Sequence, residues 1–134
     1  MGTLTTDDLR QCRDFFKSLS EGINDLLRDL IDDVTRDELI KQQQDFSDIS
    51  IGLTAEVLEI EIKDLATPMA KIQESIDKVN EALHRLSDVR KGIDLFTELV
   101  NFGSKLVSAV SGGGVVPILG TVLQAVNLKA DNLS

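Results

Sequence analysis

Apolar residues recur every three or four positions along most of the chain, which is the spacing of an amphipathic helix. The clearest run comprises Leu9, Cys12, Phe16, Leu19, Ile23, Leu26 and Leu30. Thr6, Asp7 and Asp8 precede it and supply cap oxygens and negative charge for a helix N-terminus. The pattern predicts a first helix over about residues 7–33, and its wide apolar stripe indicates packing against more than one neighbour.

The same spacing predicts two further long helices. Thr35 and Glu38 have the spacing of a capping box and begin a second helix over about residues 36–66. This helix is the least regular, because residues 46–53 alternate between apolar and polar and include a glycine. Pro68 separates it from a third helix over about residues 68–111, since proline disfavours helical geometry in the preceding residue and suits the first turn of a new helix. The seam of this third helix comprises Ile72, Ile76, Val79, Leu83, Leu86, Ile93 and Val100.

Residues 106–128 form a run of twenty-three positions without a formal charge, interrupted by Gly112, Gly113, Gly114 and Pro117. Three consecutive glycines end a helix because of their backbone entropy, and a short apolar fourth helix over about residues 115–129 is predicted after them. The run is therefore expected to form a glycine-hinged hairpin. Together the patterns predict an all-α fold, an elongated up-down helical bundle of three long amphipathic helices plus a short C-terminal helix, in a single domain over residues 1–134.

Composition and charge narrow the classes of function. The net charge of −9 argues against a nucleic-acid partner, because binding a phosphate backbone requires clustered cations. The chain contains five Phe residues and no Trp or Tyr, and this argues against functions that depend on exposed aromatic anchor side chains. One cysteine cannot form an internal disulfide, and the acidic N-terminus does not resemble a secretory signal. A cytoplasmic or peripherally membrane-associated location is expected.

Candidate chemical groups are few. Glu81 and His84 have the Glu-x-x-His spacing of bundle metal sites, but the seam places both on the outward side of their helix, so a solvated face is expected. Cys12 falls on the seam of the first helix, where a free thiol behaves as a small apolar residue. No nucleophile, phosphate-binding or zinc motif is evident. The chain is therefore predicted to be non-enzymatic, with no metal, cofactor or small-molecule substrate.

The apolar hairpin admits three interpretations: a helix that closes the bundle, an oligomer contact, or a membrane-inserting element that is shielded until a trigger releases it. Its candidate residues are Leu106, Val107, Val110, Val115, Val116, Ile118, Leu119, Val122, Leu123 and Val126. Heptad helices followed by a Gly-rich apolar hairpin resemble the organisation of helical pore-forming toxins and of membrane-disrupting domains of cell-death proteins. The resemblance implies conditional membrane insertion and transfers no functional residue.

These patterns favour a non-enzymatic protein-interaction or assembly module that associates with itself or with a protein partner. Long heptad seams can exchange partners between chains, and an apolar tail needs cover in water. The alternative hypothesis is a membrane-active helical module that inserts residues 106–128.

Overall fold

The computed structural model of the chain describes residues 2–28, 32–56, 62–65, 69–86, 89–111 and 120–132. Its helices are α1 (Thr6–Arg28), α2 (Asp33–Glu56), α3 (Met69–His84), α4 (Val89–Ser111) and α5 (Gly120–Asp131). Two short strands, β1 (Gly2–Leu4) and β2 (Ile62–Leu65), pair antiparallel with Gly2 opposite Leu65. The described chain is thus nearly all helical, and the predicted all-α character is confirmed.

Short polar side chains start the first two helices. At α1 the Asp8 amide donates to Thr5 Oγ1 at 3.2 Å while the Thr5 amide donates to Asp8 Oδ2 at 3.0 Å, a reciprocal capping box one residue earlier than predicted. At α2 the carboxylate of Asp32 accepts the Val34 amide at 3.1 Å and the Thr35 hydroxyl at 2.6 Å. Thr35 is therefore a donor to the cap, and α2 begins before the predicted residue 36.

The last part of the second predicted helix is wrong. The structure describes α2 over Asp33–Glu56 and places Ile62–Leu65 in β2, where the prediction continued a helix to residue 66; residues 57–61 lie outside the described part of the chain. Residues 59–63 alternate acidic or basic with β-branched side chains, a period of two that suits a strand. The pairing partner of β2 is the N-terminal strand β1, far away in sequence.

The third predicted helix is two helices. After α3 the Arg85 amide donates to the Ala82 carbonyl at 3.0 Å and the Leu86 amide to the Leu83 carbonyl at 3.3 Å, which tightens the final turn. A new helix, α4, begins at Val89, directly after Ser87 and Asp88, whose residue types favour helix caps. The predicted fourth helix corresponds to α5, which spans Gly120–Asp131; the predicted start at residue 115 and the glycine hinge lie outside the described residues.

The core lies where α1, α2 and α4 meet, and it contains all five phenylalanines. The Phe16 ring centroid lies 5.4 Å from that of Phe15 and 6.0 Å from those of Phe46 and Phe102, and Phe46 contacts Phe96 at 5.6 Å. The predicted seam of α1 is buried from Leu9 to Ile23, as expected. All five phenylalanine side chains therefore contribute to the folded core.

Gly103 allows α4 to approach both other core helices closely. A Cβ added there would lie 2.7 Å from Ile49 Cδ1 and 2.9 Å from Phe16 Cζ, so no side chain fits without movement. Further along the same pair of helices, the buried Gln42 side chain of α2 donates to the Ile93 carbonyl at 3.1 Å and to Thr97 Oγ1 at 3.2 Å. These contacts show that α2 and α4 run in the same direction side by side.

Candidate functional site

The described part of the apolar segment has one face turned inward. Leu106 in α4 and Leu123 and Val126 in α5 are buried, whereas Val107 and Val122 are half-buried against the same core. Val107 fits against Gly52, where an added Cβ would lie 3.1 Å from Val107 Cγ1. The remaining candidates, Val110, Val115, Val116, Ile118 and Leu119, have side chains outside the described part of the chain.

Helix α5 lies between α3 and α4 and packs closely on both. Its inward residues Leu123, Val126 and Ala130 follow helical spacing, while Leu128 is 60% exposed. An ion pair between Asp131 Oδ1 and Lys78 Nζ, at 2.9 Å, holds its C-terminal end at the middle of α3. Membrane insertion by this segment would first require the release of these contacts.

Among the helices that the structure describes, none is both long enough and apolar enough to cross a membrane.

An open apolar cleft lies between α1 and α3. We call it the α1–α3 cleft; its volume is about 330 Å³. Its apolar lining residues are Leu19, Leu26, Leu83, Leu86 and Phe96, and its polar lining residues are Ser18, Asp25, Asn80 and His84, with Gly22 on the α1 wall. Pockets of this size and composition are typical of binding sites for apolar groups.

Gly22 leaves its position on the α1 wall of this cleft without a side chain. A Cβ added at Gly22 would meet nothing within 4 Å, whereas Gly52, Gly92 and Gly103 each face a neighbour closer than that. Glycine inside a helix costs about 1 kcal/mol relative to alanine, and packing does not explain that cost at Gly22. Sequence inspection identifies Gly22 only as a weak helix former; the cleft that it borders forms where α1 and α3 come together in space.

A second groove, between α2 and α4, has a different character. Its larger part, of about 500 Å³, is lined by Lys41, Asp45, Asp48, Ile49, Val100, Ser104, Val107 and Ser108. Lys41 Nζ and Asp45 Oδ2 form an ion pair at 3.1 Å along its rim. Five of its eight lining residues are polar or charged, and it is more open to water than the α1–α3 cleft, so the α1–α3 cleft is the stronger binding candidate.

The two residues with metal-site spacing, Glu81 and His84, lie on the surface. Glu81 and His84 are both exposed on α3, as the heptad positions predict, and Glu81 Oε1 accepts a hydrogen bond from Arg85 Nη2 at 2.9 Å. Within the described residues, no group of three or more His, Cys, Asp or Glu side chains is arranged to hold a metal ion. His84 contributes instead to the rim of the α1–α3 cleft.

Cys12 is fully buried on the inward side of α1. Burial in apolar surroundings, and secondarily the negative charge of Asp8, raises the pKa of the Cys12 thiol to about 12. The thiol is therefore protonated at physiological pH and is a poor nucleophile. This position supports the sequence-based interpretation of Cys12 as a core residue.

Comparison of the chain with protein-family models, curated proteins and solved structures gives no match.

Proposed function

We propose that this chain is a non-enzymatic helical-bundle module that works by associating with protein chains, its own copies included. The helices form an elongated up-down bundle, and the antiparallel contacts of α1 with α2 support this arrangement. Gln43 Nε2 donates to the Ser20 carbonyl at 2.9 Å, and Phe46, later in α2, contacts Phe16, earlier in α1. The single observation that carries the proposal is the α1–α3 cleft.

The cleft supports association because its apolar lining is not covered by the chain's own described helices. Leu19 and Phe96 are buried at its floor, while Leu26, Leu83 and Leu86 remain half-buried at its sides. Covering such side chains is favourable by about 25 cal/mol for each Å² of apolar surface removed from water. The core aromatic cluster leaves no exposed aromatic anchor among the described residues, so the cleft would receive a side chain from the partner.

Sedimentation equilibrium tests the proposal, with the mass of the full chain measured from low micromolar to about 1 mM. We expect a mass that rises with concentration. Gly22→Leu places an apolar side chain over the cleft and should return the chain to a monomer, whereas Gly22→Ala should leave association intact.

Glu21→Leu is the matched control, because it adds the same side chain at an exposed position one residue away that does not line the cleft. It should associate like the unchanged protein. A monomeric mass at every concentration, or equal association by Gly22→Leu and the unchanged protein, would overturn the proposal.

A further inference from the structure

We infer that Gln42 is a pairing-specificity residue, which restricts the buried face of α2 to one position on α4 at a cost in stability. A fully apolar face at this place would be more stable and would fit more than one arrangement of the two helices. The pairing lies inside one chain, so it does not depend on association between copies.

Gln42 stands at a position of α2 that its neighbours fill with apolar side chains. The buried residues of this face follow one another at steps of three and four, and they are Leu39, Gln42, Phe46, Ile49 and Leu53. Gln42 is only 8% exposed, although its amide is polar. A single polar residue in an otherwise apolar helix seam typically specifies how the helices pair and lowers their stability.

The Gln42 amide is hydrogen-bonded on one side only. Its Nε2 donates to the Ile93 carbonyl at 3.1 Å and to Thr97 Oγ1 at 3.2 Å. Its Oε1 is buried and accepts no hydrogen bond from the described residues. The Ile93 carbonyl can only accept, and it therefore holds the amide with the nitrogen toward α4. A buried acceptor without a donor destabilises the folded state.

An apolar side chain in place of Gln42 would leave both of its partners satisfied. Within α4 the Thr97 hydroxyl itself donates to the Ile93 carbonyl at 3.0 Å, so the two groups remain hydrogen-bonded to each other. Leucine is close to glutamine in size, and it would remove the buried oxygen that lacks a donor. Replacing partly satisfied buried polar groups with well-packed apolar ones is often stabilising. Glutamine is therefore not the residue that gives this site the greatest stability.

The apolar residues of α2 do not define a single buried face by themselves. On the outer side of α2, Ile40 is 44% exposed and Ile51 is 63% exposed. Burial of apolar surface is non-directional, so it gives little preference for one partner surface over another. Gln42, in contrast, can be buried only where a facing helix offers hydrogen-bond acceptors, and α4 offers them at Ile93 and Thr97. These hydrogen bonds select the part of α4 that α2 meets.

Gln42→Leu tests the inference in the full chain through thermal unfolding and a two-dimensional amide NMR spectrum. We expect the unfolding temperature to rise by about 3 °C or more, because the buried oxygen without a donor is removed. We also expect more than one NMR signal for many amides of α2 and α4, because additional arrangements of the two helices become populated. Gln44→Leu is the matched control, since it makes the same substitution at an exposed position of α2. It should keep one signal per amide and change the unfolding temperature by less than about 2 °C.

Two results for Gln42→Leu would overturn the inference. A lower unfolding temperature would show that Gln42 is a stabilising core residue, and a higher one with a single set of signals would show that apolar packing alone specifies the pairing. Thr97→Val tests the hydrogen bond separately. It should lower the unfolding temperature of the otherwise unchanged protein by more than it lowers that of Gln42→Leu, and equal losses in the two backgrounds would contradict a role of Thr97 in holding Gln42.

Discussion

Replacing Gly103 with alanine tests the closest approach in the core. The added Cβ would lie 2.7 and 2.8 Å from two carbons of Ile49 and 2.9 Å from Phe16 Cζ. Carbon atoms pack best at about 3.5–4.0 Å, so each neighbour must move by roughly 1 Å. Phe16 is held among three other rings, and Ile49 is buried against it, so the movement must spread into α1 and α2.

The magnitude follows from two opposed effects. Overpacking of a filled core costs about 1–3 kcal/mol, and three contacts below 3.0 Å place Gly103→Ala at the upper end. The gain in helix propensity from glycine to alanine offsets about 1 kcal/mol. We therefore expect a net loss of about 2 kcal/mol in the free energy of unfolding.

Gly22→Ala is the matched control, since it makes the same substitution inside a helix with nothing within 4 Å of the new Cβ. It should stabilise the chain by about 1 kcal/mol, so the two variants should differ by about 3 kcal/mol. Urea unfolding followed by far-ultraviolet circular dichroism measures both. If Gly103→Ala were as stable as the unchanged protein, α4 would not cross Phe16 and Ile49 as closely as described.

Three further predictions concern the thiol, a helix cap and α5. The Cys12 thiol should resist alkylation in the native chain and react in urea; because its pKa rises from 9.0 to about 12 on folding, its stabilising contribution is complete below pH 9.0 and falls as pH rises. Relative to Cys12→Ala, the unchanged protein should lose about 2–3 kcal/mol by about pH 11, and a constant difference would refute this. Hydrogen bonds from the Thr35 hydroxyl and the Val34 amide, together with the charge of Arg90, lower the pKa of Asp32. The stabilising contribution of Asp32 is therefore present above pH 3.8 and lost in acid. Asp32→Asn should reduce the fall of the thermal unfolding temperature at acid pH, and an unchanged fall would contradict the cap. Leu123→Ala should lower the free energy of unfolding by about 2–4 kcal/mol because Leu123 is buried. Leu128→Ala, at an exposed position, should change it by less than about 0.5 kcal/mol. Equal effects in thermal melts would show that α5 does not pack through this face.

Local sequence patterns predicted part of the fold. The spacing from Leu9 to Ile23 predicted the buried face of α1 because burial of one stripe dominates a helix of that length. The heptad spacing also continued from Leu86 to Ile93, across the break between α3 and α4, so periodicity alone did not reveal the turn. The available signal was the residue types Ser and Asp at positions 87 and 88, which favour helix caps.

The rest of the fold depends on long-range contacts, which the spacing of apolar residues does not predict. The β1–β2 pair joins segments separated by about half of the chain, and only the alternation before Ile62 hinted at a strand. The sequence did not predict that Leu123 and Val126 would be buried within the chain, because the bundle, another copy or a membrane could each bury an apolar face. The α1–α3 cleft depends on how α1, α3 and Phe96 of α4 come together in space.

The position of α5 also sets an order of assembly. Helices α1, α2 and α4 share the phenylalanine cluster and have all been synthesised once the chain has been extended through Ser111. Among the described helices, the one that packs most closely on α3 is α5, which the ribosome makes after α1 to α4. During synthesis the face of α3 that packs on α5 therefore stays without this cover until α5 has emerged, and the interval exposes the nascent chain to aggregation or to capture by a chaperone.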